Sequence, residues 1–469
     1  MAASWQAVDR NSPNHWRPKA TNASKIRSRL DRRKTVSDLA PLDVATLRKD
    51  FPVLQRTVRD ERPLVYLDSG ATSQKPYQVL DAERRFYEQS NAAVHRGAHQ
   101  LAEEATDAYE AARRAIAGFI GAQASNLVFT KNATEGLNLV SYAFTNATSL
   151  QARQPKEGLD ERLLLGPDDN VVITQMEHHA NLIPWQQVCA KTGAELRWFG
   201  LTDDGRLDLA NLNTLIDGST KAVSIVHQSN ILGTINPVRQ IMDRAHEVGA
   251  WGIVDACQSV PHQRVDVAQL GADAITWSGH KMLGPTGIGC LWASTDLLDA
   301  MPPFLTGGSM IETVTMEGST FAPPPQKFEA GVPMVAQAVG LHAAVDYLND
   351  VGMEAIAAHE QDLTEYLLVQ LQEISGVRII GPTTACERGS AVSFTVDGIH
   401  PHDVGQVLDS LGVAVRVGHH CAWPVCRRYG VPATTRISPY LYNDYSDIDI
   451  AIAGIRQAQD FFLGGTNRV

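Results

Sequence analysis

Cysteine is scarce in this chain, with six among 469 residues. Their irregular spacing offers no disulfide framework, so a reduced, cytoplasmic-type setting is the expectation. No apolar run approaches the roughly 20 residues that cross a bilayer, which argues against a membrane-spanning role. Positive charge is also short. Lys and Arg total 41 against 52 Asp and Glu, a net charge of −11, which disfavours a basic face for nucleic acid. Internal repeats are lacking, and the N-terminal segment has no apolar core of a secretory signal. What remains is ordinary globular composition, 44% apolar and 20% charged, enough for a large core in two domains.

The first 43 residues differ from the rest. The stretch NSPNHWRPKATNASKIRSRLDRRKTVSD carries Arg17, Lys19, Lys25, Arg27, Arg29, Arg32, Arg33 and Lys34 with few large apolar residues. It reads as a disordered basic tail. An organelle transit peptide is the alternative, and Asp9, Asp31 and weak amphipathicity stand against it.

From about residue 120 to 295, short apolar runs alternate with helical patterns. Strand candidates are Asn170–Gln175, Lys221–Gln228, Trp251–Gln258, Asp273–Lys281 and Gly287–Ala293. Between two of them, Val238, Ile241, Met242 and Ala245 recur at helical spacing. Such alternation predicts an α/β fold with a mostly parallel sheet flanked by helices. Ligands of such sheets sit beyond the carboxyl ends of the strands. After the Pro- and Gly-rich region Pro323–Pro333 the pattern changes. Helices over Ala336–Leu348, Met353–Leu371 and His402–Leu411, with strands over Ala391–Val396 and Val413–Val417, predict a smaller α+β domain. The expected organisation is a tail (1–43), a large domain (60–331), and a small C-terminal domain (332–469, joined by 44–59). Thr145–Pro167 reads as a surface insertion.

Several polar residues gather at the strand ends. Asp255 closes the apolar run AWGIVDA, either as a satisfied structural acid or as the partner of a buried cation, and Gln258 follows it. Ser278, His280 and Lys281 end the run DAITWS beside glycines. In FTKNATEGLNLV, Asn132 and Thr134 start an amphipathic helix, where free amides make an anion site or simply a capped end. His178 and His179 follow the strand NVVITQ, and adjacent side chains point apart, which is poor metal geometry. Taken together these are an anion cradle, an acid for a ring nitrogen, a ring to stack and a lysine for a Schiff base. Those are the parts pyridoxal 5′-phosphate requires, since a protonated pyridine ring acts as an electron sink.

The stretch VRVGHHCAWPVC, Val415 to Cys426, is either half of a zinc site or a loop bearing a reactive thiol. Zinc would need a second pair of ligands, and no separate Cys/His pair elsewhere supplies one, so no metal is expected.

The blocks YLDSGATSQKP, AVHRGAHQL, FTKNATE, EHHANLIPWQ, HQSNILGT, DACQSVPHQRVD, SGHKMLGPTGIG, TGGSMIETV, FEAG and RVGHHCA follow one another over residues 44–465. In this order they resemble the Suf-type (group II) cysteine desulfurases of the class V, fold-type I pyridoxal-phosphate family, and their actinobacterial branch most closely. The resemblance implies that Lys281 carries the cofactor, Asp255 pairs with its ring nitrogen and Gln258 bonds its ring hydroxyl. It implies that His178 stacks on the ring and that Thr134, Ser278 and His280 hold the phosphate. Asn230 and Arg436 would bind the substrate, and Cys421 would accept its sulfur as a persulfide. The implied reaction converts L-cysteine to L-alanine, with a protein of SufE or SufU type taking the sulfur toward iron–sulfur scaffold machinery. A homodimer with the cofactor site at its interface is implied, without nucleic acid or membrane. A selenocysteine lyase or cysteine sulfinate desulfinase would share nearly the same site, and a non-catalytic sulfur-relay scaffold is the rival outside enzymes. One departure stands out. The family commonly has Thr in FEAGTP, whose hydroxyl reaches the cofactor phosphate bound in the neighbouring protomer, and Val332 here would forgo that one hydrogen bond, of order 1.5–3 kcal/mol. His95, Arg96 and His99 either line the mouth of the site or form a structural cluster at a helix start.

Overall fold

The computed structural model describes residues 41–153 and 159–464. The expected basic tail falls outside them except for its last three residues.

Seven strands build the main sheet: β1 (Leu127–Thr130), β2 (Asn170–Thr174), β3 (Glu195–Phe199), β4 (Thr220–Val226), β5 (Trp251–Asp255), β6 (Ala274–Ser278) and β7 (Gly289–Ala293). Their spatial order is β1-β7-β6-β5-β4-β2-β3. Only β7 runs antiparallel to its neighbours, and the other pairings are parallel. Every residue of β2, β5 and β6 is buried. Strands covered on both faces need continuous Val/Ile-type runs, and NVVIT, WGIVD and AITWS supply them. The register brings Val226, Asp255 and Thr276 side by side, so β4 and β5 end together while β6 runs two residues further, to Ser278. The chemistry gathers at that edge.

Helices α1 (Tyr77–Gln89), α2 (Gln100–Phe119), α3 (Ala133–Arg153), α4 (His179–Thr192) and α5 (Val238–Glu247) are joined later in the chain by α6 (Val335–Val351) and α7 (Met353–Gln372). In α5 the buried residues are Val238, Ile241, Met242 and Ala245, the stripe expected from the sequence. An exposed hairpin, β8 (Ile311–Val314) with β9 (Ser319–Phe321), precedes the second layer. That layer is an antiparallel sheet in the order β10 (Val377–Ile380), β11 (Val392–Val396), β13 (Thr434–Ile437) and β12 (Arg416–Gly418), covered by α8 (Pro401–Ser410) and α10 (Tyr445–Leu463), with the short α9 (Trp423–Arg428) after the β12 loop. Residues near 50 and 65 join it. Arg48 meets Asp447 at 2.8 Å, and Val65–Tyr66 pairs with Val413–Ala414. Among the described residues no helix is long and apolar enough to cross a membrane.

Three local expectations need correction. The supposed insertion at Thr145 begins with the last nine residues of α3, which bury Ala147, and Leu163 and Leu165 beyond it also enter the core. The strand expected over Val413–Val417 breaks at Val415, its halves joining different partners. Strands β1 and β3 were not foreseen. LVFT is very short, and ELRWF lies at the sheet edge with mixed burial, so neither carries a clear periodic signal.

Candidate active site

A cavity of about 230 Å³ opens beyond the carboxyl ends of β4–β6. Nine of the ten expected site residues line it: Thr134, His178, Asn230, Asp255, Gln258, Ser278, His280, Lys281 and Arg436. Size does not single it out. Surface grooves of about 990 and 820 Å³ hold arginine–acid pairs such as Arg84–Glu88 and Arg239–Asp243, with no comparable set of groups.

The floor is tightly bonded. Asp255, buried at the end of β5, accepts from the Cys257 amide at 2.9 Å. Gln258 donates to the Gly70 carbonyl at 2.7 Å. Behind them Glu177 is buried and accepts from Thr174, Asn181 and the Val226 amide. Burial pushes its carboxyl up to about 8. His178 caps α4, its Nδ1 accepting from the Ala180 amide at 3.1 Å, which leaves the ring proton on Nε2. Burial, then the charge of Lys281, holds this imidazole down at about 3, so the ring is neutral and can face a cationic ring without repulsion.

One end suits an anion. Asn132 caps α3 by accepting from the Glu135 amide at 3.0 Å, and Ser278 Oγ accepts from the Ala133 amide at 2.9 Å. Gly289, between Thr130 and Ser278 in the sheet, lets this helix mouth approach closely. A β-carbon there would meet Asn132 Cα at 2.5 Å. The peptide before Lys281 is pinned as well. The His280 carbonyl accepts from the Ser73 amide at 3.1 Å, Thr72 Oγ1 at 3.0 Å, Ser73 Oγ at 3.1 Å and Lys75 Nζ at 2.9 Å. Burial lowers Lys75 to about 8 and, ahead of the nearby lysine charges, His280 to about 4.

The opposite end is cationic. Arg436, on β13, donates to Asp68 and to the Asn230 carbonyl, both at 2.9 Å, while its Nε has no partner. Burial disfavours both charges of the Asp68–Arg436 pair, and each partner's charge partly offsets that. Asn230 donates to the His420 carbonyl at 2.6 Å, and its own oxygen is buried without a partner. These orphaned atoms fit a polar group yet to arrive, such as a carboxylate or ring hydroxyl. Arg416, beside Arg436 in the sheet, also lines the cavity.

Cys421 is the one expected residue outside the cavity wall. It stands half-buried on the loop after β12, with Arg416 Nη2 3.9 Å from its sulfur. His420 and Cys421 have φ of 50° and 56°, the left-handed region that non-glycine residues rarely occupy. The zinc question returns here in altered form. His179 reaches the loop, and one ligand atom each from His179, His419 and Cys421 lies within 4.8 Å of the others. His179 is a third possible ligand that the sequence did not point to, but no second Cys/His pair completes a four-ligand set among the described residues. Moreover, His419 Nδ1 accepts from the Cys421 amide and His179 Nε2 from the Trp423 amide, so a lone pair of each ring is already engaged. Cys426, Cys189 and Cys290 are buried, Cys257 lines the cavity and Cys386 is exposed. His95 pairs with Glu110 and His99 caps α2, so these two serve the helix start.

Sequence reasoning passed over Lys75, Glu177 and Glu329, although motifs quoted above contain all three. Glu329, in FEAG, makes a bidentate pair with buried Arg113 at 2.6 and 2.9 Å and accepts from the Phe129 amide.

A family model described as aminotransferase class-V matches residues 65–450. A probable cysteine desulfurase of Streptomyces coelicolor is 57% identical over 422 residues, covering 90% of this chain and 98% of that protein. A cysteine desulfurase of Haloferax volcanii is 49% identical, with coverages of 91% and 99%. The apo cysteine desulfurase of Thermococcus onnurineus superposes with a TM-score of 0.82 at 35% identity, covering 92% of this chain and all of that one. A helix mouth for phosphate, a strand-end acid for the ring nitrogen, a neutral histidine and a pinned lysine are the groups that pyridoxal 5′-phosphate needs. With this match in sequence, fold and cavity, the chain belongs to the class-V aminotransferase family, among its pyridoxal-phosphate-dependent cysteine desulfurases.

Proposed function

We propose that this enzyme is a Suf-type desulfurase that takes sulfur from L-cysteine onto Cys421 and hands it to a protein acceptor for iron–sulfur cluster assembly. Bound pyridoxal phosphate supplies an aldehyde for Lys281 and a ring that stabilises negative charge at the substrate α-carbon. The chain's own residues do the rest. Asp255 would hold a proton on the cofactor's ring nitrogen, and neutral His178 would offer its face to that ring. Arg436 and Arg416 bind the substrate carboxylate, charge-assisted contacts that fix which α-bond faces the lysine. Lys281 Nζ removes the α-proton. Cys421 Sγ then attacks the substrate sulfur, so an S–S bond forms as the Cβ–S bond breaks. In sum, thiol plus cysteine gives persulfide plus alanine, and no outside oxidant is required.

The single observation carrying this reading is the convergence of nine expected residues on one cavity, with a strained thiol loop beside its arginines. Exposed Trp423, two residues past Cys421, supports capture by a protein of SufE or SufU kind, and the free state of the cysteines supports a reduced, cytoplasmic setting. A homodimer is supported by Met316, 98% exposed on the β8–β9 hairpin, and by Val332, 84% exposed and remote from the chain's own cavity. The test is alanine and persulfide formation from L-cysteine by the wild type and Cys421→Ser. Loss of both products in the variant supports the reading; equal alanine and sulfide from both proteins refutes it. Light scattering at twice the chain mass tests the dimer.

A further inference from the structure

His179 does not line the cavity, yet it makes two hydrogen bonds to the nucleophile loop, beside those from Asn230 and Thr434 to His420. Its main-chain N–H donates to the Cys421 carbonyl at 2.7 Å, and its Nε2 accepts from the Trp423 amide at 3.2 Å. Its ring stacks on His419, with centroids 5.6 Å apart and planes inclined by 30°. His419 Nδ1 in turn accepts from the Cys421 amide at 3.1 Å. Both peptide groups of Cys421 are therefore held, one by each histidine, and its sulfur is left to face Arg416.

We propose that His179 is a positioning residue that clamps the 420–423 loop in its left-handed conformation and ties the thiol to the cofactor-facing His178. Consecutive non-glycine residues at positive φ persist only where their surroundings over-determine them. Here that surrounding is supplied from α4, on the other layer of the molecule. The tie to His178 is covalent and stiff. The N–H that holds the Cys421 carbonyl belongs to the planar peptide joining His178 to His179, so the backbone carrying His178 is bonded directly to the thiol loop. Acceptance by Nε2 also fixes the neutral His179 tautomer, with its proton on Nδ1. Burial, then the charge of neighbouring His419, keeps the imidazole below its ordinary value and so preserves that lone pair. The groups facing it are His178 on its own helix and His419 and Cys421 on the loop.

The inference rests on Cys421 being the sulfur acceptor, and its test separates the two. His179→Phe keeps the ring and the main-chain donor but removes the lone pair. His179→Gln restores an acceptor of similar reach. L-Cysteine sulfinate is the control substrate, because its sulfur leaves as sulfur dioxide without a thiol to receive it. For His179→Phe, kcat on L-cysteine is expected to fall about 10- to 100-fold, as for a misplaced reactive group, with KM within twofold. Alkylation of Cys421 by iodoacetamide should quicken several-fold, sulfinate turnover should be unchanged, and His179→Gln should recover most of the loss. Parallel loss on both substrates, unaltered alkylation, or Gln behaving no better than Phe would each overturn the clamp. Full cysteine turnover by Cys421→Ser would instead overturn the role of the thiol, whatever the His179 variants do.

Discussion

The floor of the cavity and the loop that bears Cys421 are built in opposite ways. The floor stands on buried strand ends, and its polar groups are bonded within the fold, some several times over: four donors meet the His280 carbonyl and three meet Glu177. The loop is half-exposed and strained, and single contacts hold it from outside: His179 on Cys421 and Trp423, Asn230 on the His420 carbonyl and Thr434 on the His420 ring. The contrast follows the chemistry. Charge stabilisation needs groups fixed before the reaction, so that no reorganisation is required at the transition state. Sulfur relay needs a thiol that meets a substrate in the crevice and then an acceptor outside it, which a strand end cannot do.

The largest expected effect falls on the floor. Lys281→Ala should cut turnover by about 10⁴-fold, the upper range for a positioned proton-transfer group. Borohydride should no longer fix the cofactor to the chain, as read by mass spectrometry. A variant that kept its rate would break the division of labour drawn here.

Next comes the scaffold beneath the floor. Glu329→Ala leaves Arg113 buried without its main partner and the Phe129 amide unbonded. The expected loss is about 3–5 kcal/mol of unfolding free energy, typical of breaking a buried pair, measured by urea titration. Substitution of Trp423, exposed beside the loop, should cost far less.

Acid should attack the floor too. His178 and His280 in the cavity are held at about 3 and about 4, and buried His227, which follows β4 and lines a separate groove, at about 4, all below 6.5, with burial the first cause in each. The unfolded chain therefore binds more protons. The stability these groups contribute is present above pH 6.5 and is lost as pH falls toward those values. The melting temperature of cofactor-free protein should drop between pH 6.5 and 4, and His227→Phe should flatten part of that drop.

The smallest effect sharpens the loop side. At position 421 glycine relieves the left-handed strain and alanine does not, so Cys421→Gly should be more stable than Cys421→Ala by about 1 kcal/mol. Equal melting temperatures would mean that the loop carries no such strain.

The floor was legible in the sequence because each of its groups adjoins a strand whose apolar run announces it: Asp255 after WGIV, Ser278 after AITW, His178 after NVVIT. Distance along the chain hid the rest. Glu329 meets a residue 200 positions away, and Lys75 a carbonyl 205 positions away. Neighbours on a chain diverge, which argues against His178 and His179 as a metal pair, and the same divergence lets His178 line the cavity while His179 meets the thiol loop. The end of α3 was misread because NATSLQAR is polar on the face it shows to solvent, while Ala147 does the packing.

The missing side chain at Gly289 also limits how this fold can change. Because the helix mouth rests against bare backbone there, the gap between Asn132 and the neighbouring strand works like a fixed gauge. Even a methyl group would pry it open, so lineages or engineers seeking a differently sized anion would have to remodel the ligand from its far side.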